Sequence, residues 1–213
     1  MSKTTDFGQA GSQPVHCSVT ERGRAQRAAL IEASIQAIAA VGFENFTTRE
    51  VAARTHMNIA TLHYYFATKE ELIRAVINRV LGELSDPLLP HANEDPLTGL
   101  RNQFAATFDR IRRRPEIFRV LIELHARSSH DQFSRSLLEE VTSNWREYIL
   151  SCLQRGTQRG QFRNDIDLDA YSLGIMATIK GIVMECLRDP SKTTEAESFA
   201  SEIIRLITIP ERL

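Results

Sequence analysis

Between Phe46 and Leu72 the chain carries three helix-start signals in close succession, and no sheet or long straight rod accommodates them. Thr47 is an N-cap residue with Glu50 three positions on, the spacing of a capping box, and Phe46 and Val51 stand at the flanking staple positions. Asn58 caps a second helix, with Met57 and Leu62 as its staple pair. Thr68 and Glu71 repeat the box for a third. The first two signals leave a turn of only about three residues, the connection of a helix-turn-helix.

The second of these helices shows what the motif presents. Leu62 and Phe66 are four apart and face inward together, which directs Ile59, Ala60, Thr61, His63 and Tyr64 outward. An aromatic outer face is costly in water and is explained by a partner that fills it. In a helix-turn-helix the start of the second helix meets base edges in the major groove, while hydroxyls, amides and cations around it hold phosphates. Helix starts at Thr48 and Lys69 suit the second task, because free amides and the positive end of the helix dipole favour an anion.

Residues 24–72 resemble the DNA-binding domain of the TetR family of bacterial transcriptional repressors. The resemblance rests on Gly42-Phe43, the Thr47 to Ala53 segment, Thr61-Leu62-His63-Tyr64-Tyr65-Phe66 and the trailing Lys69-Glu70-Glu71-Leu72, in the family's order and spacing. It implies that Thr48 and Arg49 contact the duplex from the first helix of the motif. It further implies that Ile59, Ala60 and Thr61 face bases, that His63 and Tyr64 touch backbone or thymine methyls, and that Lys69 holds a phosphate, with Asn58 and Tyr65 completing the DNA-binding set. Two positions depart from the pattern. His56 stands where the family usually has glycine, at a helix end that calls for a left-handed backbone, which histidine tolerates better than most residues. His63 replaces a usual tyrosine and exchanges a phenol for an imidazole that titrates near neutrality.

A net charge of −1 and a pI near 6.6 argue against a general nucleic-acid binder. The cations are local: Arg22, Arg24, Arg27, Arg49, Arg54, Lys69, Arg74 and Arg79 exceed the glutamates of the same stretch by two. That modest field fits sequence-directed binding with few phosphate contacts.

Cys17, Cys152 and Cys186 are odd in number and widely spaced, which matches neither a disulfide framework nor a zinc site and points to a reducing, cytoplasmic setting. No apolar run reaches the ~18 residues of a membrane span, and no membrane partner is expected. Residues 1–20 are rich in Ser, Thr, Gln and Gly and are expected to form a disordered tail. An arm probing the minor groove would need more cations than Lys3 supplies there.

The expected organisation is all-α with about nine helices: the tail, a helix-turn-helix domain over residues 21–68, and a larger helical ligand-binding and dimerisation domain over 69–213. The first helix spans about 24–41, with Gly42 as its left-handed stop. The third capped helix runs on from Lys69 to Leu84, where Asp86-Pro87 ends it, and so joins head to body as a lever. Asp95 caps a helix carrying Leu97, Leu100, Phe104, Phe108 and Ile111; Pro115 opens the next. The penultimate helix, about 167–188, is apolar almost all round and aligns the small residues Gly174, Ala177 and Gly181. The last, about 194–207, begins at a Thr194–Glu197 capping box and ends before Pro210. These two helices, with Ile203 and Ile207, either form a two-fold interface of four helices or complete a monomer core; symmetry and the resemblance favour the homodimer.

Phe104, Phe108, Phe118, Leu121, His125, Trp145 and Tyr148 either fill a core or line an apolar pocket with sparse polar anchors. The resemblance implies the pocket, and with it a small, largely apolar effector. Catalysis and metal binding find little support. His125 and His130 point about 140° apart on a helix, Glu139 and Glu140 read as solvated charge, the run Arg112 to Arg114 reads as a helix end, and no phosphate loop or nucleophile elbow is present. The expected protein is therefore a cofactor-free regulator that binds a palindromic double-stranded DNA operator and is released by a small molecule. The alternative is a helical small-molecule-binding or adaptor protein whose head no longer reads DNA.

Overall fold

The computed structural model describes residues 20–85 and 94–209. Residues 1–19 of the expected tail, Asp86-Pro87 and Pro210 lie outside the described residues, while Thr20, placed in that tail, caps the first helix. Those described form helices α1 (Glu21–Asn45), α2 (Thr48–Arg54), α3 (Ile59–Tyr65), α4 (Lys69–Ser85), α5 (Pro96–Arg113), α6 (Pro115–Ser128), α7 (Gln132–Gln158), α8 (Leu168–Arg188) and α9 (Thr193–Ile207), with a 3-10 turn over Pro190–Lys192. The all-α expectation holds, and among the described residues the extended pairing is a single bridge, Phe162 with Thr208.

Helix ends follow the local chemistry, with four corrections. Helix α1 starts earlier than expected, capped by Thr20, and Gly42 interrupts it with φ of 74°. The positive φ is what calls for glycine there; a Cβ would also lie 2.8 Å from the Glu123 carboxylate on α6, a flexible side-chain end that can turn aside. Thr47 accepts from the Glu50 amide as expected, but the Glu50 carboxylate turns forward to Arg54 one turn on rather than back to the cap. Thr68 accepts from the Glu71 amide, while the Glu71 carboxylate accepts from Ala67, one residue before the expected amide. The Thr194–Glu197 box does not form. Helix α9 begins at Thr193 out of the 3-10 turn, without a side-chain cap, and Glu197 instead pairs with Arg112 on α5.

Helix α1 packs against α2, α4 and α6, so one rod belongs to the core of the helix-turn-helix and to its seat on the remaining helices. Leu30, Ile35, Ile38, Phe46, Leu62, Phe66, Leu72 and Val76 are fully buried in that core. Beyond it α5, α6, α7 and α8 bury Leu100, Ile117, Phe118, Ile149 and Ile179 against one another. The turn after α7 closes where Phe162 tucks under Gly156, whose Cα leaves no space for a side chain: a Cβ would sit 2.1 Å from the Phe162 ring.

Helix α8 is long and apolar enough to cross a membrane by length and composition alone, contrary to the expectation that no segment would be. It nevertheless packs into the helical body through Ile175, Met176, Ile179 and Val183 and carries Lys180 and Glu185. Its outward side is what distinguishes it, since Leu173 and Met184 are 61% and 58% exposed.

Candidate nucleic-acid interface

The turn between α2 and α3 is built around His56. Its φ of 54° places it in the left-handed region, and it closes α2 with the paired bonds of a Schellman motif: the His56 amide donates to Ala53 at 3.2 Å and the Met57 amide to Ala52 at 3.0 Å. The departure from glycine is thus accommodated without altering the geometry. Met57 packs half-buried against the core, and Asn58 begins α3 by accepting from the Thr61 amide at 2.7 Å.

Helix α3 is held from behind and open in front. Leu62 and Phe66 are fully buried, and Arg27 of α1 lies over the Phe66 ring at 4.8 Å. Ile59, Ala60, His63 and Tyr64 are exposed, Tyr64 by 76%, with its ring edge-on to Tyr65 at 5.1 Å. The side chains expected to face a groove therefore share one uncovered surface. Thr61 is half-buried, and its hydroxyl donates to Asn58 at 2.9 Å, leaving its lone pairs and methyl for a base. Arg49 is exposed on α2 and Thr48 half-buried beside it. Lys69, at the start of α4, sits with its ammonium 5.6 Å above the Phe46 ring, so its stem is directed before any anion arrives.

Tyr65 is placed differently from its neighbours. It is half-buried, and its hydroxyl donates to Gln26 of α1 at 2.7 Å. Its role in the structure is to orient α3, and Gln26 is a residue the sequence offered no means of singling out, because its partner lies 39 positions away.

The seven expected pocket residues are spread over α5, α6 and α7. Phe104 and Phe108 border an open groove of about 600 Å³ between α5 and α9, with Ala200 and Ile204 opposite. Phe118, Leu121, Trp145 and Tyr148 are buried in the body, and His125 is half-buried with Nδ1 2.9 Å from the Leu121 carbonyl. Two buried polar atoms there have no partner among the described residues: Trp145 Nε1 on α7 and Gln103 Oε1 on α5. They occupy neighbouring turns of the α5–α7 contact, since Gly99, one turn before Gln103, faces the Tyr148 hydroxyl and Cys152, and Trp145 lies one turn before Tyr148. The sequence signal for Gln103 was its polar side chain within the apolar stripe of α5.

The small residues Gly174, Ala177 and Gly181 are exposed on α8, and nothing lies within 4 Å of a Cβ placed on either glycine. On α9 the outward residues are Phe199 and Leu206, with Ile203 half-buried. Ile207, expected at the interface, is fully buried within the protomer because the helix turns that side toward α5; Phe199 and Leu206 take its place on the outer face. Among the described residues no group of three His, Cys, Asp or Glu side chains is arranged to hold a metal.

Residues 30–76 match the bacterial regulatory proteins of the tetR family, and residues 96–207 match the C-terminal family of BetI-type transcriptional repressors. The chain belongs to the TetR family. Among the relatives of this TetR-family regulator, the HTH-type transcriptional regulator BetI of Burkholderia lata is 26% identical over 187 residues, 85% of this chain and 93% of the relative. The HTH-type transcriptional dual regulator CecR of Shigella flexneri is 35% identical over 77 residues, 36% of this chain and 34% of that one. A TetR transcription regulator from Haloarcula marismortui superposes with a TM-score of 0.75 at 20% identity, covering 87% of this chain and all of its own. A putative transcriptional regulator from Saccharomonospora viridis, solved in complex with choline, gives the same TM-score and identity over 87% of this chain and 99% of its own. The TetR family is one of transcriptional regulators rather than enzymes, and the two solved structures establish the shared fold.

Proposed function

We propose that this TetR-family regulator is a cytoplasmic repressor that binds a palindromic operator as a homodimer and leaves it when a small, largely apolar molecule occupies its body. The uncovered surface of Ile59, Ala60, His63 and Tyr64 on a helix pinned by Leu62, Phe66 and the Tyr65–Gln26 bond carries the reading. A recognition helix must be rigid behind and open in front, and α3 is both. The apolar outer stripe of Leu173, Ala177 and Met184 on α8, beside Phe199 and Leu206 on α9, supports the dimer, which sets two heads on one axis.

Effector release is supported by Trp145 Nε1 and Gln103 Oε1, buried polar atoms without a partner among the described residues and set in a largely apolar interior. The choline complex of the S. viridis protein makes choline the first compound to try beside apolar ones, since the buried Trp145 and Tyr148 stand one helical turn apart on α7 and aromatic faces suit a quaternary ammonium. An effector weakens operator binding by its differential affinity for the two body conformations, about 1.4 kcal/mol for each tenfold.

Selection from a random DNA pool followed by fluorescence anisotropy tests the reading. An enriched two-fold symmetric site is expected, bound at least tenfold more weakly by Tyr64→Ala and Arg49→Ala, each such factor corresponding to about 1.4 kcal/mol. No enriched site, with affinity indifferent to both substitutions, would favour the adaptor alternative.

A further inference from the structure

One arginine ties three helices together at the place where head meets body. Arg114 stands at the corner between α5 and α6, its amide donating to Arg110 at 2.7 Å and Pro115 directly after it. Its guanidinium reaches Glu32 of α1 with Nη2 2.9 and 3.1 Å from the two carboxylate oxygens, pairs through Nε with Glu116 of α6, and lies 3.8 Å from Glu83 of α4. Arg79 pairs with the same Glu83 oxygen at 2.9 Å. The Glu116 and Glu83 side chains are only 13% and 16% exposed, so solvent screens the body side of this cluster less than it does an ordinary surface pair, while Glu32 on the head is 43% exposed. Three carboxylates from three helices thus share two guanidinium groups, and only Arg114 touches all three.

We infer that Arg114 is a positioning residue for operator binding: a latch that holds the reading head at one fixed angle on the body. The inference rests on the proposed DNA-binding role. Its physical content lies in what the latch opposes. Without the Arg114 guanidinium, Glu32 on the head and Glu116 on the body lose the cation they share and remain as like charges around the place it occupied. Their repulsion acts on the α1–α6 contact, which also holds Gly42 against Glu123 and Phe43 beneath Arg127 at 5.5 Å. Helix α1 anchors α3 through Gln26, so a displaced α1 displaces the reading surface. A dimer whose heads sit at one angle matches one half-site spacing, and a dimer with loose heads pays for ordering them on each binding event.

The test uses the full chain and two independent readouts. Nitroxide labels at Ala53→Cys on α2 and Glu140→Cys on α7, in a Cys17→Ser background diluted with unlabelled protein, report the head–body distance by pulsed electron resonance without DNA. Arg114→Met keeps the apolar stem and is expected to broaden or shift that distribution, and adding Glu32→Gln is expected to narrow it again. On the selected operator, Arg114→Met is expected to lose about tenfold in affinity and to discriminate less against sites with one base pair inserted at the centre. Glu32→Gln is expected to recover part of that loss while costing less than about threefold in the native background, a sign that a merely destabilised fold does not produce. Arg114→Lys, which keeps the charge without the fork, is expected to fall between and serves if the methionine variant melts early. Distance distributions and spacing profiles identical to those of the native protein would overturn the latch. If the native protein binds no operator, the DNA-binding reading falls, and the distance measurement still decides the latch.

Discussion

The hydroxyl of Tyr65 donates to the carboxamide of Gln26 at 2.7 Å, joining α3 to α1, while the neighbouring Tyr64 projects 76% exposed from the same turn. Adjacent tyrosines therefore carry separable tasks. Tyr65→Phe is expected to lower stability by about 1 kcal/mol, the net value of one part-buried hydrogen bond, and to weaken all DNA sequences alike. Tyr64→Ala is expected to leave the melt unchanged and to act on DNA affinity alone. Urea denaturation beside operator titration separates them.

Lys69 and Thr61 divide in another way. Lys69→Ala removes a phosphate partner, so it should weaken binding across a panel of operator variants and reduce the salt slope by about one unit. Thr61→Ala should change preference at one base position by about 1–3 kcal/mol. Because the Thr61 hydroxyl also donates to the α3 cap, its stability is to be measured in parallel. Identical effects of the two substitutions across the panel would refute this division of labour.

His56 holds a left-handed backbone at the cost that any side chain with a Cβ incurs there. His56→Gly is expected to raise stability by about 1 kcal/mol after glycine's greater unfolded freedom is subtracted, about 2–4 °C in Tm for a chain of this size. A lower Tm would show that the imidazole makes a compensating contact.

The outer face of α8 and α9 predicts how the protein sediments. The native chain should travel at twice its 24.1 kDa mass, and Leu173→Glu combined with Phe199→Glu should halve it, because both side chains are exposed in the protomer and their replacement leaves its core intact. Native protein that sediments only as a 24.1 kDa species at micromolar concentration would refute the dimer.

Burial holds the His125 pKa below its ordinary 6.5, and the charge of Lys180 adds to this, against the hydrogen bond to Leu121. The unfolded chain then binds the proton more readily than the folded one. The neutral ring's contribution is complete above about pH 6.5, and stability declines as pH falls below that value toward the folded-state pKa. Subtracting the pH–stability curve of His125→Gln from that of the native protein should isolate this decline; a flat difference would refute it.

The helix-turn-helix and its outward residues were legible in the sequence because their determinants are local. A cap and the amide it accepts from are three residues apart, as at Thr47 and Asn58, and the inward pair Leu62 and Phe66 is four apart, so the period of the helix alone sorts inside from outside. The same local reading failed where a competing partner was in reach, since Glu50 turned to Arg54 and Glu197 to Arg112. Only the tertiary structure decided that Ile207 is interior while Phe199 and Leu206 are exterior, that Tyr65 is tied to Gln26, and that Arg114 gathers Glu32, Glu83 and Glu116. Which side of an apolar helix is covered, and which of several carboxylates an arginine reaches, depend on how distant helices cross. Thirty-nine residues separate Tyr65 from Gln26 and eighty-two separate Arg114 from Glu32, far beyond any pattern that helical periodicity carries.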